Sequence, residues 1–170
     1  MTPTHRAPTE IRTPSPGAIE PLPPFNTWRI QLSDPEVGFA WYTSPGILVT
    51  QATMTHAGVR ASVVLSDWVD LVLETHREEL RQCGGLLGIH DWRRFRSYDS
   101  EARRLWTQRI RRRPSGYLRK GVIIIAESPL IKMAVAGANL VVAIASGGSS
   151  QFEIATNATE VLRKYNVRPG

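Results

Sequence analysis

Residues 122–126 read Val-Ile-Ile-Ile-Ala, so this run is apolar at every position and β-branched at the first four. β-Branched side chains favour strands, and a strand without polar positions has no face to turn toward water. Such a strand is typical of the centre of a sheet that carries helices on both faces. The run therefore predicts an α/β fold, in which the rest of the chain supplies further strands and the covering helices.

Several other short runs have strand character. Aromatic and β-branched residues at 37–43 and 47–54 flank the turn residues Ser44-Pro45-Gly46, and this pattern predicts a hairpin. The predicted strands are 28–32 at an edge of the sheet, 37–43, 47–54, 86–89, 122–126 and 152–155.

Between these runs, apolar residues recur at the spacing of helices with one buried face. Ser128-Pro129 has the chemistry of a helix start, and Asn157 with Glu160 has the spacing of a capping box. The predicted helices are 56–81, 99–113, 130–145 and a closing helix that begins after Asn157. The predicted order is β-β-α-β-α-β-α-β-α, a mixed sheet with the helices packed against it.

The first 26 residues contain seven prolines and no long apolar stretch. Proline denies hydrogen bonds to helices and sheets, so residues 1–26 are predicted to be a disordered tail and residues 27–167 a single domain. The segment does not have the pattern of a secretory signal, and the single cysteine, Cys83, cannot form an internal disulfide. We therefore expect a cytoplasmic protein.

The element order, together with a few residues near position 95, resembles a STAS domain. Asp91 follows the predicted strand 86–89, and eight residues later Asp99-Ser100 opens a predicted helix. This arrangement is similar to that of the SpoIIAA-like anti-sigma factor antagonists and of uncharacterised bacterial STAS-like proteins. The resemblance implies a non-enzymatic regulatory module that binds a protein partner. It also implies that a partner kinase phosphorylates Ser100, although Ala102 stands where the family usually has glycine.

Arg103 and Arg104 follow Ser100 by three and four residues, the spacing at which side chains meet on a helix. A phosphate on Ser100 would also lie at the positive end of the helix dipole. Alternatively, Asp99 caps the helix and Ser100 is an ordinary residue of its first turn. The predicted partner-binding residues are Asp91, Trp92, Arg93, Arg94, Arg96, Tyr98, Asp99, Arg103 and Arg104.

The basic residues of the chain are concentrated in one stretch. Residues 93–120 contain eleven basic side chains and only two acidic ones, Asp99 and Glu101, which gives a local charge of +9 in a chain of net charge +6. The patch from Arg93 to Arg113 suggests an alternative function, the binding of nucleic acid or an acidic membrane. Aromatic residues suited to base stacking are few there, so a solvated face or a surface for an acidic protein partner also explains the charge.

Catalytic signatures are weak. His90 and Asp91 with Ser97 or Ser100 could suggest a hydrolase, but neighbouring strand residues point to opposite faces and no Gly-x-Ser-x-Gly motif is present. The four histidines lack metal-ligand spacing, and the glycines near residue 85 precede a strand, whereas a dinucleotide site needs them after one. We expect no catalytic, metal or cofactor site.

Overall fold

The computed structural model describes residues 19–126 and 152–169, and the largest feature of these residues is a six-stranded mixed sheet. In chain order the strands are β1 (Leu32–Asp34), β2 (Gly38–Thr43), β3 (Ile47–Ala52), β4 (His56–Ala57), β5 (Leu86–Asp91), β6 (Ser97–Tyr98), β7 (Leu118–Ile124) and β8 (Phe152–Ala155). The order across the sheet is β1-β2-β3-β5-β7-β8, antiparallel among the first three strands and parallel from β3 onward. The short strands β4 and β6 pair separately, in parallel.

The described residues contain a short 3-10 helix at Phe25–Thr27 and four α-helices: α1 (Val59–Thr75), α2 (Arg77–Gln82), α3 (Ser100–Arg112) and α4 (Ala158–Lys164). One apolar core contains Leu65 and Trp68 of α1, and a second contains Val161 of α4 with Phe25 and Trp41. The sheet contributes side chains to both cores. The predicted fold class, a mixed sheet with helices packed against it, is confirmed.

Most of the run at 122–126 lies in β7, an interior strand between β5 and the edge strand β8. Val122 and Ile124 belong to the core that contains α4, whereas Ile123 and Ile125 belong to the core that contains α1. All four side chains are buried, because successive residues of a strand point to opposite faces and both faces are covered. Each burial contributes about 1.5–3 kcal/mol. The predicted strand with both faces covered is confirmed, although β7 begins earlier, at Leu118, and is the fifth of six strands rather than a central one.

Other predicted elements also form. The hairpin of β2 and β3 has the predicted turn, β8 has the predicted bounds, and Asn157 Oδ1 accepts a hydrogen bond from the backbone N–H of Glu160 at 3.2 Å. The predicted strand 86–89 is longer in the structure, since β5 continues through Asp91. The predicted helix 130–145 lies outside the described residues.

The predicted first helix, 56–81, is wrong as a single element, because it is divided into β4, α1 and α2. α1 ends before His76, whose ring stacks on Tyr42 with 3.8 Å between the ring centroids. α2 then places Glu79 where its carboxylate accepts hydrogen bonds from Tyr42 Oη at 2.8 Å and from Gly46 N at 3.0 Å. Contacts with the β2–β3 hairpin, which are distant in sequence, thus accompany the break in the helix.

The start of the domain also differs from the prediction. The edge strand is 32–34 and not 28–32, because Trp28 is buried beside Phe25 and Trp41. Phe25 is fully buried, so the folded domain begins before residue 27 and includes the end of the predicted tail. Residues 1–18 of that tail lie outside the described residues.

Gly38 allows a prediction about the hairpin. Its φ of +142° favours glycine, and a Cβ atom there would collide with the carbonyl oxygen of Gln51 on the paired strand. We expect Gly38→Ala to lower the free energy of unfolding by about 2–4 kcal/mol, measured by urea denaturation. Gly84→Ala is the control, since Gly84 also has a positive φ but no atom near its missing Cβ. Equal losses in the two variants would contradict the steric argument.

Candidate functional site

The end of β5, the loop after it, β6 and the start of α3 form one continuous surface feature, residues 91–104, which we call the corner. Backbone hydrogen bonds hold the loop in place. Trp92 N donates to the carbonyl oxygen of Ile124 at 2.8 Å, and Arg96 N donates to that of Thr55 at 2.7 Å. The corner therefore rests on the end of β7 and on Thr55, which directly precedes β4, and it contains every predicted partner-binding residue.

A buried carboxylate anchors the corner. Asp91 is 1% exposed, and its two oxygens accept hydrogen bonds from Arg93 Nε at 2.8 Å and Nη2 at 2.7 Å. Gln51 Nε2 donates to the same carboxylate at 2.8 Å. This bidentate pairing is the strongest arrangement of an arginine with a carboxylate. The hydrogen bonds to Asp91 raise the pKa of Arg93.

The same network fastens the beginning of the domain. Arg93 Nη2 donates to the carbonyl oxygen of Pro23 at 2.6 Å. The amide of Gln51 bonds both backbone groups of Leu22, accepting from its N–H at 2.6 Å and donating to its carbonyl oxygen at 3.2 Å. Residues near position 22 are thereby joined to the ends of β3 and β5.

These bonds correct the predicted partner surface at two positions. Asp91 is buried and Arg93 is only 29% exposed, because each is the main partner of the other. A binding partner could not reach Asp91 without displacing this network. Their role in the structure is to hold the corner, and the surface available to a partner begins with their neighbours.

The remaining predicted residues of the corner are largely accessible. Arg94, Arg96, Tyr98 and Asp99 are exposed, and so are Ser100, Arg103 and Arg104. Trp92 is half-buried, and its ring stacks on Phe95 with 5.3 Å between centroids. Arg96 lies against the corner itself, since its Nη1 donates to the carbonyl oxygens of Arg93 and Phe95.

His56 joins the corner from a distant part of the sequence. Its Nδ1 lies 2.8 Å from Ser97 Oγ, and its Nε2 lies 3.1 Å from Asp99 Oδ1. The His56 and Asp99 side chains are each about half exposed, 52% and 51%, so water competes with these bonds. The cluster links β4 to β6 and α3. Sequence reasoning missed it, since His56 is 41 residues from Ser97 and no motif connects them.

Ser100 is the first residue of α3 and is exposed, and its hydroxyl has no hydrogen-bond partner among the described residues. Asp99 occupies the N-cap position, but its side chain makes no capping bond and pairs with His56 instead. Asp99 is thus the N-cap residue that the alternative predicts, without a side-chain capping bond, and Ser100 lies in the first turn as both interpretations expect. Arg103 and Arg104 follow on the exposed face, and Arg104 lies 3.5 Å from Glu101.

His90 does not join a catalytic group with Asp91. It is buried, its Nδ1 lies 2.8 Å from Thr50 Oγ1, and burial together with the charge of Arg113 lowers its pKa to about 4. The ring is therefore neutral near pH 7. Asp91 bonds Gln51 and Arg93 instead, because successive side chains of β5 lie on opposite faces of the sheet.

The basic patch separates into two groups. Arg109 pairs with Asp67 of α1, and Arg113 Nε donates to Asp70 Oδ1 at 2.7 Å, so these two arginines fasten α3 to α1. Arg113 is only 6% exposed. The exposed arginines of α3 are Arg103, Arg104, Arg111 and Arg112.

Within residues 19–126 and 152–169, no group of three or more histidine, cysteine or acidic residues could hold a metal ion. No helix in the same residues is long and apolar enough to cross a membrane.

The Asp91 network yields a prediction about stability. Asp91→Ala would leave Arg93 and Gln51 without their buried partner, so we expect a loss of about 2–4 kcal/mol in the free energy of unfolding, measured by urea denaturation. Asp99→Ala is the control, because it removes a half-exposed carboxylate from the same corner and should cost less than about 1 kcal/mol. Losses of similar size would show that the Asp91 network does not anchor the corner.

Comparison with known proteins gives one informative likeness. No family model matches the sequence, and a search of curated proteins found no match either. The fold is similar to the crystal structure of an uncharacterized protein of the DUF3478 family from Shewanella loihica PV-4, described as having a SpoIIAA-like fold. The two share 11% sequence identity with a TM-score of 0.53, over 79% of this chain and 98% of the other. The resemblance predicted from the sequence is thus confirmed for the fold, which is SpoIIAA-like.

Proposed function

We propose that this chain is a non-enzymatic regulatory module that binds a protein partner through the exposed part of the corner. Two observations support this proposal: the fold is SpoIIAA-like, and the accessible side chains of the corner lie on a frame of hydrogen-bonded, largely buried residues. The frame consists of the Asp91–Arg93 pair, Gln51 and the ends of the central strands. Binding residues on a rigid support lose little conformational freedom when a partner arrives.

The proposed contact residues are the predicted ones without the buried pair. They are Trp92, Arg94, Arg96, Tyr98, Asp99, Arg103 and Arg104. Tyr98 is 42% exposed, and it provides an aromatic surface among charged neighbours. Aromatic and arginine side chains are enriched where protein partners bind, so this mixture suits a protein contact.

Ser100 is the proposed switch, and the observation that carries it is the free, exposed hydroxyl at the first position of α3. A phosphate there would meet the unpaired N–H groups of the first turn and the positive end of the helix dipole. Arg103 and Arg104 follow at three and four residues, and His56 already bonds the adjacent Asp99. A phosphate would therefore attract Arg103 and Arg104 and change the charge presented to a partner, which in this proposal includes a kinase.

The switch predicts a phosphorylated form of the protein. We expect the intact mass of chain purified from cells that express it natively to show a fraction heavier by one phosphate group. The Ser100→Ala variant should lack that fraction. Ser115→Ala is the matched control, since Ser115 is an exposed serine beyond the other end of α3, and it should retain the fraction. A heavier form that persists in Ser100→Ala, or never forms in the wild type, would disprove the switch.

The proposed surface predicts an effect of charge reversal. Arg94→Glu combined with Arg96→Glu should remove the protein partners that co-purify with the wild type, because two exposed cations of the corner become anions. Arg77→Glu with Arg163→Glu is the control, since both residues are exposed on other elements and reverse the same charge. Arg93 is left intact because it supports the fold. Retention of the same partners by the corner variant would contradict this surface.

A further inference from the structure

The outer face of α3 presents a row of exposed arginines, of which Arg103 and Arg104 also belong to the corner. Arg103, Arg104, Arg111 and Arg112 are exposed, whereas Arg109 and Arg113 turn toward α1 and are held by its aspartates. Among the described residues, the only anion paired with one of the four is Glu101, at 3.5 Å from Arg104. We call these four residues the arginine row. Exposed pairs of this kind exchange readily for another anion, because water screens them and they contribute little.

The spacing of the row suits a repeated anion. An α-helix rises about 1.5 Å per residue, so the pair at 103–104 and the pair at 111–112 lie about 12 Å apart along the axis. Thr107 and Gln108 lie between the two pairs on the same shallow depression of the surface and can donate neutral hydrogen bonds. The face can therefore contact a chain of anions over two helical turns.

The chemistry of the face distinguishes among anionic partners. Besides the arginine row, Thr107 and Gln108, the lining residues are Ser100 and the acidic Glu101, so no aliphatic or aromatic side chain is among them and cations outnumber the anion four to one. A protein interface normally has an apolar anchor, and a helix that inserts into a membrane surface has an apolar face turned to the lipid. Phosphate needs neither, and the guanidinium group binds phosphate oxygens through two parallel hydrogen bonds.

We propose that the arginine row binds the phosphate backbone of double-stranded nucleic acid, independently of its base sequence. The absence of aromatic side chains from the lining favours a duplex over a single strand, because single strands are usually held by stacking of their bases. The contact goes beyond the protein partner of the corner and does not require phosphorylation of Ser100. The proposal accounts for the arginines of α3 that do not pair with the aspartates of α1.

Counterion release sets the expected size of the effect. Four phosphate contacts predict a slope of about −3.6 in a plot of log affinity against log salt concentration. The affinity should accordingly fall by about 100-fold between roughly 50 mM and 200 mM salt. Sequence-independent binding at physiological salt would then lie in the range of about 1–100 μM.

The test uses the full chain and a fluorescein-labelled DNA duplex of about 20 base pairs, with binding followed by fluorescence anisotropy at several salt concentrations. Replacing all four arginines of the row by glutamine should weaken binding by about tenfold or more at low salt and bring the slope close to zero. Each pair replaced alone, Arg103→Gln with Arg104→Gln or Arg111→Gln with Arg112→Gln, should reduce the slope by about 2.

The matched control removes the same charge from other faces. Arg29, Arg77, Arg163 and Arg168 are exposed and have no ion-pair partner among the described residues. Their combined replacement by glutamine should leave the affinity within about threefold of the wild type and the slope nearly unchanged. Circular dichroism confirms that both variants are folded before they are compared.

Three results would overturn the proposal. The first is an equal loss of DNA binding in the row variant and the control variant. The second is failure of the wild type to bind the duplex at low salt while phosphatidylserine vesicles are bound, which would assign the row to a membrane. The third is the same failure together with binding of polyglutamate, which would assign it to an acidic protein.

Discussion

A carboxylate buried at the end of a strand is costly unless charged and polar groups surround it. Asp91 meets this requirement with the guanidinium of Arg93 and the amide of Gln51, and both of these also bond the backbone near residue 22. One buried charge thus determines where the loop after β5 turns and where the beginning of the domain lies. The position of the corner, and of everything a partner could touch there, depends on it.

The arginines of the corner and of α3 are divided between support and recognition. Arg93 and Arg113 are largely buried. Arg93 pairs with Asp91 at the end of β5, and Arg113 pairs with Asp70 and so links α3 to α1. The arginines on the outer face of α3 are exposed. A count of charges cannot separate these groups, because a buried pair and a solvated cation contribute equally to the net charge of +6. The function of each arginine follows from the face on which it lies.

Most of the sheet could be predicted because the strand signals are local. The continuous apolar run at 122–126 predicts a strand buried on both faces, and the turn residues Ser44-Pro45-Gly46 predict the hairpin of β2 and β3. The break at His76 and the shift of the edge strand could not be predicted, because they accompany contacts of Tyr42 and Trp28 with distant residues. The structure brings the predicted site residues together at the corner, but the burial of Asp91 and the bonds of His56 could not be predicted, because they depend on contacts between distant parts of the chain.

The amino-acid sequence by itself determined the class of fold and the stretch where charge gathers, since periodicity and composition are properties of neighbouring residues. Only the tertiary structure decided how that charge is used. It buried Asp91 with Arg93, turned Arg109 and Arg113 toward α1, and left Ser100 and the arginine row in contact with water. The physical reason is that pairing and desolvation depend on distances across the fold. Gln51 and Asp91, Asp70 and Arg113, and His56 and Asp99 are each 40 or more positions apart in the chain.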